Sequence, residues 1–327
     1  MPPTPEKPLA LAVMSAEHWP LLFPPAVRQQ LDRLVRLDPA GPVDHYAPDR
    51  LAEVEVLITG WGCPPVDNRV LDQAPKLRAI LHAAGSVKGH LSRAVWERGI
   101  VVSSAAAANA VPVAEFALGA ILLAGKGAFD LRERYRRDRW FELGYIHRGV
   151  GNHGRTVGVI GASRIGRQVL DLLRQFGFHV QVYDPYAEDV ASVDLGTLLS
   201  TSDIVSVHAP LTAETVHLLG PEELAQLKTG ATLINTARGQ VIDPDALIAE
   251  LRTGRISAVL DVTEPEPLPA DSPLFTLPNA FVTPHIAGSH GNELARLGGC
   301  VTAELERFLS GEPLRHGVSL AELDRAA

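Results

Sequence analysis

Thr156 to Asp184, TVGVIGASRIGRQVLDLLRQFGFHVQVYD, decides the fold. The stretch opens on a short apolar run with Val157, Val159 and Ile160, then turns on Gly161. Gly166 follows, and Val169, Leu172, Leu173 and Phe176 recur at helical spacing. Gly177 stops that helix, and a second strand, Val180 to Tyr183, ends on Asp184. Strand, glycine turn, helix, strand and terminal carboxylate are the parts of a dinucleotide-binding unit. The turn needs glycine for a tight backbone and close helix–strand contact. The helix start offers unpaired N–H groups and the positive end of the dipole to a pyrophosphate. An acid at the second strand end suits ribose hydroxyls and repels a 2′-phosphate.

One position departs from the G-x-G-x-x-G pattern. Gly161-Ala162-Ser163-Arg164-Ile165-Gly166 has serine where the middle glycine belongs. Serine adds bulk where the backbone should approach phosphate, although its hydroxyl is a candidate donor to a phosphate oxygen. Taken alone, G-x-x-x-x-G also fits an ordinary parallel-sheet crossover packed on glycine. The flanking strands and Asp184 favour the dinucleotide.

Outward from this stretch, 327 residues suit two domains. A net charge of −8 gives no basic surplus for nucleic acid. The basic cluster Arg132 to Arg139 is interrupted by Glu133 and Asp138, as in a solvated helix face or subunit contact. Two cysteines, Cys63 and Cys300, imply no disulfide framework and a reducing compartment. The N-terminus lacks the order of a signal peptide, and the apolar stretch Phe116 to Ala124 is too short for a bilayer. A cytoplasmic protein without membrane or nucleic-acid partners is the expectation.

The first hundred residues alternate strands (Leu9–Met14, Val54–Thr59, Leu77–His82, Ile100–Ser103) with helices (Pro25–Leu37, Leu91–Arg98). They form a parallel α/β unit of their own, without a glycine fingerprint. A long helix is expected from Asn109, with Pro112 in its first turn. Asp130 to Val150 is charged and aromatic (Tyr135, Trp140, Phe141, Tyr145), which suits a subunit interface. Further strands fall at Ile204–Val207, Ala231–Asn235, Ala258–Asp261 and Ala280–Thr283, with helices at Pro221–Leu227, Pro244–Arg252 and Asn292 to about Leu309.

Ligands in open parallel sheets sit beyond the carboxyl ends of strands. Three such ends are Asn235-Thr236-Ala237-Arg238-Gly239, Asp261-Val262-Thr263-Glu264-Pro265-Glu266-Pro267 and Thr283-Pro284-His285-Ile286-Ala287-Gly288. Reducing a keto acid with a nicotinamide needs a cation for the carboxylate, which suits arginine. It also needs a proton donor working near neutrality, which suits histidine, and a carboxylate to orient that donor. Taken singly, Arg238, Glu266 and His285 each have an ordinary reading as loop residues. Their shared location is the stronger signal.

Three stretches, TVGVIGASRIGR, the pair LINTARGQVID and AVLDVTEPEPL, and FVTPHIAGS, resemble the D-2-hydroxyacid dehydrogenase family in order and approximate spacing. Weaker similarity runs through Leu77 to Ala124, including Val111 to Glu115. The resemblance implies two Rossmann-like or flavodoxin-like parallel-sheet domains with a cleft between them. Residues 1–107 and 290–327 would form a discontinuous substrate domain, and 108–289 the NAD-binding domain and dimer contact. Arg238 would bind the substrate carboxylate and carbonyl, His285 would be the general acid/base, and Glu266 rather than Glu264 its partner. Gly161, Ser163, Arg164, Ile165, Gly166, Asp184, Thr236, Ala237, Arg238, Asp261, His285, Ala287 and Gly288 would line NAD, with Asp261 at the nicotinamide carboxamide. Backbone N–H groups of Ala84, Gly85 and Ser86 would grip the substrate carboxylate, and no metal is required.

This chain departs from the family at Ser163, and its loop Gly85 to Gly89 lacks the usual Gly-x-Asp and adds Lys88. Lys88 is either a solvated loop residue or a contact for a second anionic group. Formate is not expected, because formate dehydrogenases carry glutamine at the position of Glu266. Pro185 and Tyr186 stand where NADP users often place a base, so NAD is expected. The expected activity is interconversion of a small 2-keto acid and its D-2-hydroxy acid. The alternatives are an NAD-sensing binding protein of the corepressor type and a structural protein with a vestigial site.

Overall fold

The computed structural model describes residues 6–39, 41–140 and 150–325. Phe141 and Tyr145 of the aromatic arm lie outside the described residues. The chain divides into two compact units, Met1–Asn109 with Ser289–Ala327, and Ala110–Gly288. Both are parallel α/β units of the Rossmann-like class.

The first unit holds β1 (Leu9–Val13), β2 (Arg36–Leu37), β3 (Val56–Thr59), β4 (Ala79–His82) and β5 (Val101–Ser104). They pair in the order β2-β1-β3-β4-β5, all parallel. Alternate residues serve opposite faces. Ala10, Ala12, Val56, Ile58 and Leu81 join one core cluster, whereas Leu11, Val13, Leu57, Ile80 and Val102 join the other. Both faces are covered, which explains why these strands read as unbroken apolar runs. The late helix Leu294–Leu309 returns to this unit and adds Leu294, Leu297, Val301 and Leu305 to the first cluster. Its Gly298 lies against the backbone of Leu22, where a Cβ would stand 1.8 Å from the carbonyl oxygen.

The expected helix Pro25–Leu37 is shorter than its apolar spacing suggests. It ends at Leu34, Val35 turns extended, and Arg36–Leu37 become the edge strand β2, with Arg36 N–H donating to the Pro8 carbonyl. Pairing with β1 overrides the local periodicity. The long helix begins earlier than expected, at Ala106, so Pro112 lies inside it rather than in its first turn. This 20-residue helix, Ala106–Gly125, is long and apolar enough by composition to cross a membrane, unlike the shorter stretch read from sequence. Its Ala114, Ala117, Ala120 and Ile121 are core residues of the second unit.

The second unit holds β6 (Thr156–Ile160), β7 (His179–Tyr183), β8 (Ile204–Val207), β9 (Thr232–Asn235), β10 (Ser257–Leu260) and β11 (Ala280–Val282). Their order is β11-β10-β9-β8-β6-β7, again all parallel. Val157, Val159, Ile234 and Val259 face one cluster, and Ile160, Val205, Val207, Leu233 and Leu260 the other. The direction of winding reverses between β6 and β8. This switch point is where such sheets open a crevice at their carboxyl edge.

Candidate active site

The glycine turn stands at the switch point. Gly161 has φ 93°, and a Cβ there would lie 2.6 Å from the Ala209 backbone nitrogen after β8. A Cβ at Gly166 would stand 2.0 Å from the Gly161 carbonyl oxygen. Both glycines are therefore fixed by close backbone approach. Ser163 caps the helix Arg164–Leu173, accepting from Gly166 N–H, while its hydroxyl donates to the His208 carbonyl at 2.8 Å. The hydroxyl that the sequence offers to a phosphate is thus bonded within the turn itself. The first-turn N–H groups of Arg164 and Ile165 have no helical carbonyl to meet.

Asp184 reaches the same turn. Its carboxylate accepts from Ala162 N–H at 2.7 Å and Tyr186 N–H at 2.9 Å. The side chain thus braces the glycine loop, and its remaining acceptor capacity is what a ribose would use. Tyr186 is exposed, and its hydroxyl pairs with Glu214.

Arg238, Glu266 and His285 follow β9, β10 and β11, three neighbours in one sheet. The Glu266 carboxylate lies 2.6 Å from His285 Nδ1, and both side chains are about half exposed. Glu264 instead meets His217. Arg238 is half-buried, and its guanidinium donates to the Ala237 carbonyl at 2.7 Å. Burial lowers its pKa from the ordinary arginine value, and the nearby Glu266 carboxylate opposes that fall. The two groups are thus electrostatically coupled.

His285 has φ 54°, unusual for a residue with a side chain. Its N–H donates to the carbonyls of Asp261 and Thr283, both at 3.0 Å. Asp261, only 2 % exposed, holds the loop from beneath. Its carboxylate accepts from the Thr283 hydroxyl at 2.6 Å, Ile286 N–H at 2.8 Å and Ala287 N–H at 2.9 Å. The expected carboxamide contact has only the residual acceptor capacity of that carboxylate to draw on. Ala287 is buried, and Gly288 closes the unit. Asn235 braces the Arg238 loop, donating to the Arg238 carbonyl and accepting from Ala237 N–H. The Thr236 hydroxyl is buried without a hydrogen-bond partner among the described residues. Such a hydroxyl just after β9 fits a polar ligand at this strand edge.

Two histidines escaped the sequence reading. His208, fully buried after β8, bonds Ser206 through Nε2 at 2.8 Å, and its Nδ1 has no partner among the described residues. Burial pushes its pKa down to about 4, so it is a neutral floor beneath the turn. His217 belongs to a loop with no motif at all. Its only sequence signal is two glutamates close together among prolines, a hint of carboxylates needing partners.

Ala84, Gly85 and Ser86 follow β4 in the other unit. The Ser86 hydroxyl accepts from Lys88 N–H at 3.2 Å and so shapes that loop. His82, at the end of β4, is buried against Thr59, and burial, with His90 nearby, pushes its pKa down to about 3. Among the described residues no cluster of metal-ligating side chains occurs.

Residues 118–287 match the family profile described as the D-isomer specific 2-hydroxyacid dehydrogenase NAD binding domain. The chain is 34% identical over 285 residues to a D-3-phosphoglycerate dehydrogenase of Methanocaldococcus jannaschii, covering 84% of this chain and 53% of that one. It thus spans about half the length of that relative. It is 35% identical over 300 residues to a glyoxylate/hydroxypyruvate reductase B of Pectobacterium atrosepticum, covering 88% and 92% of the two chains. Among solved structures, the TT0316 protein of Thermus thermophilus is similar with TM-score 0.76 and 29% identity, over 95% of this chain and 100% of that one.

Proposed function

Because the chain belongs to the D-isomer specific 2-hydroxyacid dehydrogenases, we propose that it interconverts a small 2-keto acid and its D-2-hydroxy acid with NAD. The observation that carries this reading is the 2.6 Å contact of His285 with Glu266, beside the half-buried Arg238. Bound NADH would supply the hydride. Glu266 fixes Nδ1 of His285, which leaves Nε2 to give a proton to the carbonyl oxygen as it becomes an alkoxide. In oxidation the same nitrogen takes the proton back. The forked guanidinium of Arg238 would hold the substrate carboxylate and polarise the carbonyl.

We place the pyrophosphate at the N–H groups of Arg164 and Ile165, and the adenosine ribose at Asp184, whose charge disfavours a 2′-phosphate. Glyoxylate or hydroxypyruvate is the favoured substrate, because the reductase relative is matched over nearly its whole length. We also propose a homodimer through the helix Ala128–Asp138. None of its residues is buried within the chain, although it carries Phe129, Leu131 and Tyr135.

NADH oxidation by purified protein against a panel of 2-keto acids, with His285→Ala alongside, tests this reading. Turnover with one acid that disappears in the variant supports it. Silence across the panel, with NADH bound, overturns it.

A further inference from the structure

The four residues Glu264-Pro265-Glu266-Pro267 carry two carboxylates, and each is bound to a different histidine. Glu266 meets His285, and Glu264 Oε2 lies 3.1 Å from Nε2 of His217. The second ring nitrogen of His217 faces another carboxylate, Asp243 Oδ2, at 3.8 Å. The ring therefore sits between two acids from two different loops.

The loop needs such an anchor. Pro265 and Pro267 have no N–H, so the segment on either side of Glu266 cannot be held by main-chain donors. Its internal tie is the Thr263 hydroxyl donating to the Pro265 carbonyl at 2.9 Å. The Glu264 side chain is its tie to the loop after β8.

His217 is itself firmly placed. It has φ 52°, a conformation that glycine or asparagine adopts more readily than histidine. Its N–H donates to the Gln240 carbonyl at 2.8 Å, and Leu219 bridges to Ile242. Gln240 lies two residues after Arg238. A Cβ at Gly239 would stand 2.0 Å from the Thr263 carbonyl oxygen, so the Arg238 loop and the Glu264 loop touch backbone to backbone. Asp243 is fixed in turn as the cap of the helix Pro244–Arg252. An unfavourable backbone conformation kept in such a setting points to a task for the side chain.

We propose that His217 is a positioning residue: by gripping Glu264 between the two loops, it sets where Glu266 stands against His285. The inference rests on the reading of His285 as the proton donor. His217 touches no reacting atom. Its effect passes through the loop, and the charged groups that face it are Glu264 and Asp243.

The test is a double-mutant cycle of His217→Asn, which tolerates the backbone angle but is too short to grip, with Glu264→Ala. Each single variant is expected to lower kcat about tenfold, with KM for NADH unchanged. The double variant is expected to fall no further. The alkaline fall-off of keto-acid reduction moves to lower pH in all three. Additive losses, or an unchanged kcat and pH profile, overturn the proposal. If the wild-type enzyme turns over none of the keto acids, the parent reading fails instead. The pair is then read by nuclear magnetic resonance, from the titration of the His285 ring protons. A midpoint that moves in Glu264→Ala sustains the positioning role, and one that stays refutes it.

Discussion

At the scale of single residues, the chemistry lies in pairs that neither partner reveals alone. The strand ends that carry Arg238, Glu266 and His285 were legible because an apolar run leads into each of the three loops. His208 and His217 were not, because burial and cross-loop contacts leave no periodic trace. Replacing His285 with alanine should lower turnover by about 10²–10⁴-fold, the usual weight of a general acid, while NADH fluorescence titration still reports binding. Undiminished turnover would remove it from that role. Ser163→Ala loses both the cap on Gly166 and the bond to His208. It should lower stability by about 1 kcal/mol in urea denaturation; an unchanged midpoint would show the cap to be idle. Asp184→Ala should weaken NADH more than NADPH, since the lost charge opposes only the latter. Equal losses would leave Asp184 solely as the brace of the Ala162 turn.

Elements were legible in proportion to how much of their stability is local. The helix Pro244–Arg252 appears with the expected bounds, started by Asp243 as cap and by proline in its first turn. The edge strand β2 was invisible, because two residues carry no periodicity and exist only through β1. The helix Leu294–Leu309 depends on contact at least as much as on propensity. Gly298 lets it press against Leu22, and the stripe Leu294, Leu297, Val301 and Leu305 is buried there. Gly298→Ala gains helix propensity yet must push two backbones apart. A net loss of about 1–3 kcal/mol is expected from the overpacking, and a variant as stable as wild type in urea would show that the contact yields freely.

For the whole molecule, two buried histidines set a limit on the acid side. His82 and His208 have pKa values of about 3 and about 4 in the native state, against 6.5 when unperturbed. Well above pH 6.5 both are neutral whether the chain is folded or not, so neither contributes a slope. As pH falls through 6.5, the unfolded chain takes up protons that the native chain refuses, and stability declines until the native groups protonate too, near pH 4 for His208 and near pH 3 for His82. The urea midpoint should therefore drop between pH 7 and 5, and His208→Gln should flatten part of that drop. An identical slope in the variant would assign the loss to other groups. The division of the first unit across the sequence also sets a timetable for its birth. A ribosome releases β5 long before the helix Leu294–Leu309, roughly 200 residues later, on the order of 10–40 s at ordinary elongation rates. The second unit has all its strands before that helix emerges. Through that interval Ala10, Val56, Ile58 and Leu81 wait for part of their cover, and the nascent chain offers chaperones a half-dressed sheet.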